Sequence, residues 1–232
     1  MVLHMTNNMI LPWVGAADIA YDGEHHVIYP EMNVDFMDKW SLERMRVDVP
    51  HQWGVAVNFM HEYQGRWDRA EKAKAFRAYT GMVGLHDALP SGNANGNNKP
   101  FWIGRDRFGI EQDDVSFVGY WEPDNGVQCA DKDAYVSYWK RPGKVLLLVV
   151  NKGEATNAKL ALDLNALGLN NTWQPLDAEE GTSMKRHKKM LWNSADQKPL
   201  VKDDNDLIVP LQRHDYRQVI LQTAAGEQQT TP

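Results

Sequence analysis

The chain has 232 residues, 43% hydrophobic and 24% charged, which is enough for one large or two small globular domains. No basic stripe offsets its formal net charge of −6, which argues against nucleic acid as the main partner. Cys129 is the one cysteine, which excludes an internal disulfide framework and a cysteine-type zinc site. The sequence has neither a signal-peptide pattern nor an apolar run long enough to span a membrane, so we expect a soluble chain in an unknown compartment.

Short apolar runs alternate with helical patterns over the first 110 residues. Helices are predicted at Asp35–Arg46 and Trp67–Thr80, the second rich in strong helix formers. Four strands are predicted at Val2–Thr6, Ala17–Tyr21, Gly54–Met60 and Met82–Leu85. This alternation predicts a parallel sheet with crossover helices.

Each predicted strand ends in polar residues that are capable of chemistry. They are His4 and Thr6; Asp22 and Glu24; Asn58, His61 and Glu62; and His86 and Asp87. A (β/α) barrel places its active site at the carboxyl ends of its strands, which fits this layout. Four strands are half of such a barrel, and an open half exposes strand edges and apolar faces. The sequence therefore predicts a partial barrel that a second domain or a second subunit covers, and we expect a homodimer.

The chain after residue 110 has a different pattern. Ser91–Lys99 is a predicted loop, and Pro100–Ile110 is a short helix or a turn-rich bridge. Short strands then follow at intervals of about ten residues, with a turn at residues 141–144, which is typical of an antiparallel β-sandwich. The predicted strands are Val115–Trp121, Ala134–Trp139, Val145–Val150, Ala158–Leu162, Thr172–Gln174, Leu207–Leu211 and Arg217–Leu221.

The fold class predicted from these patterns is α/β plus all-β. The predicted domains are a partial barrel at 1–110 and a β-sandwich at 111–223, followed by a disordered tail at 224–232. Between two of the sandwich strands, Asp177–Lys202 is a polar and basic excursion that we expect to be a solvated face.

Asp22 and Glu24 form the first candidate acid pair. One residue separates them, so on an extended backbone they point to the same side, where each perturbs the pKa of the other. Glycoside hydrolysis uses such a pair, with one carboxyl protonated and the other ionised. The predicted catalytic residues are Asp22, Glu24 and Asp87, and the predicted substrate-binding residues are His4, Tyr21, His25, Asn58, Glu62 and His86. The alternative is that Asp22-Gly23 is a turn and Glu24 a solvated loop residue.

A metal centre built from the early histidines is a weaker alternative. His4, His25, His26 and His86 would join Asp22 or Asp87, but no His-x-His or His-Glu-x-x-His spacing supports it. No Gly-x-Ser-x-Gly elbow or phosphate-binding glycine-rich loop is present. We therefore predict no metal and no cofactor.

Three parts of the sequence together resemble the C-terminal part of bacterial glycoside hydrolases of the family 123 and family 36 kind. They are Val2–Thr6 with Ala17–Glu24; His86–Pro90; and Phe108–Trp121 with Val136–Asn151, closed by Leu207–Leu211 and Tyr216–Leu221. The resemblance implies two barrel strands, the last barrel strand and a C-terminal β-sandwich, with the first half of the barrel missing. It also implies a carbohydrate substrate.

Asp22-Gly23-Glu24 is also similar to the Asp-x-Glu ending of chitinase-like enzymes, in which the Glu is the acid. Ala20 stands where that motif has a further Asp, so the match is partial. The leading hypothesis is a glycoside-hydrolase-like enzyme that uses carboxylate acid/base chemistry. Two alternatives stay open: a non-catalytic carbohydrate-binding or assembly module, and a metal-dependent hydrolase. We expect no nucleic-acid or membrane partner.

Overall fold

The described residues before residue 91 form a four-stranded parallel sheet and three helices. The computed structural model describes residues 2–4, 18–22, 36–48, 56–59, 69–90, 98–186 and 189–223. The first elements are β1 (Val2–His4), β2 (Ile19–Asp22), α1 (Phe36–Lys39), α2 (Leu42–Asp48), β3 (Ala56–Phe59), α3 (Arg69–Gly84) and β4 (Leu89–Pro90). The strands lie in the order β1-β2-β3-β4, and every neighbouring pair is parallel. This is the sheet that alternating strands and helices predict.

One predicted strand is wrong. Met82–Leu85 was expected to be the fourth strand, but residues 82–84 are the last turn of α3, and β4 begins at Leu89. Ala75 to Gly84 are buried on every side of the helix, between the parallel sheet and the sheet that follows. A helix that is buried on every side has no polar face, so the apolar run in its sequence resembles that of a buried strand.

A second buried helix, α4 (Lys99–Phe108), follows β4. Pro100 lies in its first turn, where a missing N–H costs nothing. Gly109 ends it in the left-handed conformation, with φ at 84°, and donates its N–H to Arg105 O and Asp106 O. The prediction of a short helix at Pro100–Ile110 is confirmed.

The rest of the described chain forms antiparallel strands, a short helix α5 (Leu164–Leu167) and a one-turn 3-10 helix (Ser194–Asp196). The strands are β5 (Ser116–Val118), β6 (Val127–Cys129), β7 (Ala134–Arg141), β8 (Lys144–Asn151), β9 (Thr156–Leu162), β10 (Gln174–Asp177), β11 (Ser183–Arg186), β12 (Lys189–Asn193), β13 (Val201–Asp203), β14 (Asp206–Leu211) and β15 (Asp215–Gln222). They form a five-stranded sheet in the order β10-β15-β8-β7-β5, a four-stranded sheet in the order β13-β14-β9-β6, and the β11-β12 hairpin. The turn predicted at residues 141–144 joins β7 to β8, with Gly143 at φ 71°.

Two hydrophobic cores lie on the two faces of the five-stranded sheet. Along β8, Leu146, Leu148 and Val150 pack into a core with α3, α4 and the parallel sheet. Their neighbours Leu147 and Val149 pack into a second core with β9 and β14 of the four-stranded sheet. Because strand side chains alternate between faces, a strand covered on both sides is apolar throughout.

The structure tests some of the predicted elements and leaves others as predictions. The antiparallel sheets after residue 111 are confirmed, although β6, β11, β12 and β13 were not predicted. The excursion at 177–202 contains the β11-β12 hairpin rather than solvated loop alone. The half-barrel and the division at residue 110 stay predictions, and the first core takes residues from both sides of that division. The tail at 224–232 and most of the predicted loop at 91–99 lie outside the described residues.

Candidate active site

The carboxyl end of the parallel sheet is the place predicted for catalysis. Asp22 is the last residue of β2 and lies in register with Phe59, the last residue of β3, which in turn pairs with Pro90. Asp22 therefore lies at the end of the sheet where a parallel fold binds its ligands. Its predicted partners Glu24, His25 and Glu62 lie outside the described residues.

One residue before the carboxyl end of β2, three of the predicted binding residues lie side by side on neighbouring strands. His4 pairs with Tyr21, and Tyr21 pairs with Asn58. Tyr21 and Asn58 are half-buried and lie on the face of the sheet opposite the helices, because the neighbouring Val57 and Phe59 pack into the first core. The Asn58 Oδ1 atom is buried and has no hydrogen-bond partner in the structure as described. This row places a phenol and an amide beside the end of β2.

The helical layer fixes the end of β3. The Tyr79 hydroxyl on α3 donates a hydrogen bond to the Phe59 carbonyl oxygen. The Phe59 ring meets Trp40 edge to face, with ring centroids 5.7 Å apart. Both aromatic partners are buried, so rigid side chains hold the strand end next to Asp22.

Asp87 lies at the opposite end of the sheet, so the expectation that it follows a strand is wrong. It stands in the turn between α3 and β4 with φ at 57°, two residues before Leu89. Asp22 shares a row of the sheet with Phe59 and Pro90, and Asp87 precedes Pro90 by three residues. At a rise of about 3.3 Å per residue, Asp87 therefore lies on the order of 10 Å from that row. The structure therefore does not bring Asp87 together with Asp22.

The Asp87 carboxylate is held by two side chains of other elements. Trp139 Nε1 donates to Asp87 Oδ1 at 2.8 Å, and Arg105 Nη2 lies 3.7 Å from the same oxygen. Burial lowers the pKa of the Arg105 guanidinium, and Asp87 partly offsets that effect. Sequence reasoning missed Arg105 and Trp139, because nothing in their spacing links them to residue 87.

His86 is buried and packed rather than open to a ligand. It is 1% exposed, its Nδ1 donates to Met82 O at 2.7 Å, and its ring stacks on Trp121 at a centroid distance of 5.8 Å. The Tyr120 hydroxyl lies 3.3 Å from Nε2. Burial lowers the pKa of His86 to about 4, so the ring is neutral at pH 7. The arrangement joins the end of α3 to the segment after β5.

A buried ionic cluster, which we define as Arg77, Glu179, Asp215 and Tyr216, was also missed. Arg77 lies in the middle of an apolar helix and is 3% exposed, with its guanidinium between the rings of Trp192 and Tyr216. It lies 3.2 Å from Glu179 Oε2 and 2.5 Å from Asp215 Oδ1. Burial by itself lowers the pKa of the guanidinium, but the two carboxylates outweigh burial and raise it. Burial raises the pKa of Glu179, which the Arg77 charge opposes.

Two further observations bear on the predictions. Within the described ranges, no three His, Cys, Asp or Glu side chains converge as ligands for a metal ion. None of the helices that the structure describes has both the length and the apolar character needed to cross a bilayer.

Residues 97–209 match the family model for the glycoside hydrolase 123 C-terminal domain. The chain resembles the C-terminal part of a glycoside hydrolase, as its sequence predicted. The matched segment begins just before α4 and runs into β14, so it contains most of both antiparallel sheets. The strands that carry Asp22 and Asn58 precede the match.

Solved structures of glycoside hydrolases are also similar to the chain. One is the family 27 β-L-arabinopyranosidase of Geobacillus stearothermophilus, at 15% identity and a TM-score of 0.48, covering 97% of this chain and 51% of that one. Another is α-galactosidase I of Mortierella vinacea, at 11% identity and a TM-score of 0.45, covering 93% of this chain and 56% of that one. A third is the family 30 xylanase of Clostridium acetobutylicum, at 12% identity and a TM-score of 0.41, covering 75% of this chain and 44% of that one. The chain thus spans about half the length of these structures. No curated protein matches the sequence significantly.

Proposed function

We propose that the chain is a glycoside-hydrolase-like protein that cleaves a glycosidic bond with a pair of carboxyl groups. The observation that carries this proposal is the match of residues 97–209 to a glycoside hydrolase C-terminal domain. Four parallel strands precede the matched segment, and the carboxyl end of their sheet carries Asp22 with Tyr21 and Asn58 beside it, which supports this proposal. We interpret these strands as half of a (β/α) barrel.

The proposed acid pair is Asp22 and Glu24. Asp22 ends β2, and Glu24 follows two residues later in the sequence. One carboxyl would protonate the leaving oxygen while the other attacks or activates water. Asp87, at the other end of the sheet, is not included in this mechanism.

The substrate contacts of the same proposal come from the row in register with Tyr21. The Tyr21 hydroxyl and the unpartnered Asn58 Oδ1 are suited to hydrogen bonds with sugar hydroxyl groups. A buried acceptor without a partner costs free energy, which a substrate hydroxyl offsets. His4 shares this row through its pairing with Tyr21.

We further propose that two copies of the chain close their parallel sheets against one another. In the described part of the sheet, β1 and β4 each pair with only one strand, so both edges offer unpaired backbone groups. Light scattering over a range of protein concentrations measures this directly. A dimer is expected, and a monomer at every concentration contradicts the proposal.

A screen of aryl glycosides separates an enzyme from a binding module. The chain is incubated with aryl glycosides of different sugars and anomeric configurations, and release of the aryl alcohol is followed by absorbance. Turnover of at least one glycoside supports the proposal. Saturable binding without turnover of any glycoside contradicts it and favours a non-catalytic carbohydrate-binding module.

A further inference from the structure

An open cleft of about 500 Å³ lies at the amino end of the parallel sheet, whereas Asp22 lies at the carboxyl end. Ala56 at the start of β3 and Leu89 at the start of β4 form one side. The five-stranded sheet and the end of α4 form the other. The remaining described lining residues are Asp87, Arg105, Ile110, Gln112, Val115, Phe117 and Trp139. Its volume is within the range of small-molecule sites, and its walls combine polar and apolar surface.

The Arg105 guanidinium in the cleft is incompletely satisfied. The Arg105 side chain is 6% exposed, and Asp87, its carboxylate neighbour among the described residues, has Oδ1 at 3.7 Å from Nη2, which is beyond hydrogen-bond distance. Its Nε and Nη1 atoms have no hydrogen-bond partner among the described residues. A guanidinium that is removed from water in this way carries a desolvation cost. An acceptor oxygen brought into the cleft offsets that cost.

The sign of the charges restricts the ligand. The Asp87 side chain is 17% exposed and repels an anion, while the Arg105 guanidinium repels a cation. A hydroxyl group satisfies both, because it donates to a carboxylate and accepts from a guanidinium. Gln112, which is exposed at the rim, can donate and accept as well. Phe117 and Ile110 supply the apolar surface that the C–H face of a sugar ring covers.

We propose that this cleft binds a neutral, hydroxyl-rich ligand the size of a monosaccharide between Asp87 and Arg105. The site is separate from Asp22, which lies at the other end of the sheet. It adds a binding role to the junction between the parallel sheet and the family 123 domain.

Saturation-transfer NMR with methyl glycosides of glucose, galactose and N-acetylgalactosamine tests this proposal. The measurement uses the Glu24→Gln variant of the full chain, so its outcome does not depend on whether the chain hydrolyses sugars. At least one methyl glycoside is expected to bind saturably in the millimolar range. The matching glucuronide is expected to bind several-fold more weakly, because Asp87 repels its carboxylate.

Three further substitutions in that background locate the site. Gln112→Ala changes an exposed residue, and Asp87→Asn keeps both an acceptor for Trp139 and a residue type that tolerates positive φ. Each is expected to weaken binding about tenfold. Gln128→Ala, in a separate cleft, is the matched control and leaves binding unchanged. No saturable binding by any glycoside, equal binding of glycerol, or affinity unaffected by both cleft substitutions overturns the proposal.

Discussion

Arg77 Nε donates a hydrogen bond to Asp215 Oδ1 at 2.5 Å across 138 residues of sequence. Arg77 belongs to α3, which packs on the parallel sheet, and Asp215 begins β15 in the five-stranded sheet. The same guanidinium also donates to the Tyr216 carbonyl oxygen and to Glu179. The buried ionic cluster therefore joins the part of the chain that precedes the family 123 match to the sheets within and beyond it.

Replacing Arg77 by methionine is expected to destabilise the protein by about 3–5 kcal/mol. The substitution leaves Glu179 and Asp215 buried without their positive partner. Urea unfolding measures the change in the free energy of unfolding. The matched control is Arg213→Met, an arginine that is 48% exposed and pairs with Glu154 at 3.0 Å. That change is expected to cost less than about 1 kcal/mol. Equal effects of the two substitutions contradict a structural role for the cluster.

Acid is expected to destabilise the protein through His86. Its pKa is about 4 in the folded protein and roughly 6.5 in an unfolded chain. Below pH 6.5 the unfolded state binds a proton that the folded state does not, so this contribution is complete above pH 6.5 and is lost as the pH falls towards 4. The full loss is about 3 kcal/mol at 1.36 kcal/mol per pKa unit.

The free energy of unfolding, measured from pH 7 to pH 4.5, checks this expectation. The His86→Gln variant keeps an amide donor for Met82 O but has no group that titrates in this range. Its stability is expected to vary less with pH than that of the unmodified chain. If the two pH dependences run parallel, His86 is not the buried neutral group described above.

Gly84→Ala is expected to destabilise the protein even though alanine favours a helix by about 1 kcal/mol. A Cβ atom at residue 84 would lie 2.8 Å from Phe101 Cε2 and 2.9 Å from Leu148 Cδ2. Both neighbours are buried core side chains, so the overpacking cost of about 1–3 kcal/mol exceeds the helical gain. Thermal unfolding measures the difference. Lys74→Ala, at an exposed position of the same helix, is the control and should stay within about 0.5 kcal/mol of the original. A more stable Gly84→Ala protein would show that this packing is looser than described.

The parallel and antiparallel strands were predictable because their side-chain patterns are local. Alternating elements before residue 110 and evenly spaced strands after it indicate the two kinds of sheet. The end of α3 was misread because Met82–Leu85 is apolar on every side, and periodicity is lost where a helix has no solvent face. That error moved Asp87 to the wrong end of the sheet.

The position of Asp22 at the end of β2 was predicted, whereas its surroundings were not. The register of Tyr21 with Asn58 depends on pairing between strands 37 residues apart, which no local pattern encodes. The pairing of Arg105 with Asp87 and the buried ionic cluster likewise join distant segments. Such contacts follow from the packing of helices on sheets, and the chain carries no sequence signal for them.

Asp22, which ends β2, and Glu24 are proposed to cleave a glycosidic bond together. The rate at which Glu24→Gln hydrolyses an aryl glycoside that the unmodified chain turns over tests this directly. Glu180→Gln removes an exposed carboxyl elsewhere and serves as the matched control. We predict that Glu24→Gln lowers kcat by at least about a hundredfold, the usual effect of losing a general acid, while the control keeps its activity. A Glu24→Gln protein that folds and retains full activity would contradict the claim.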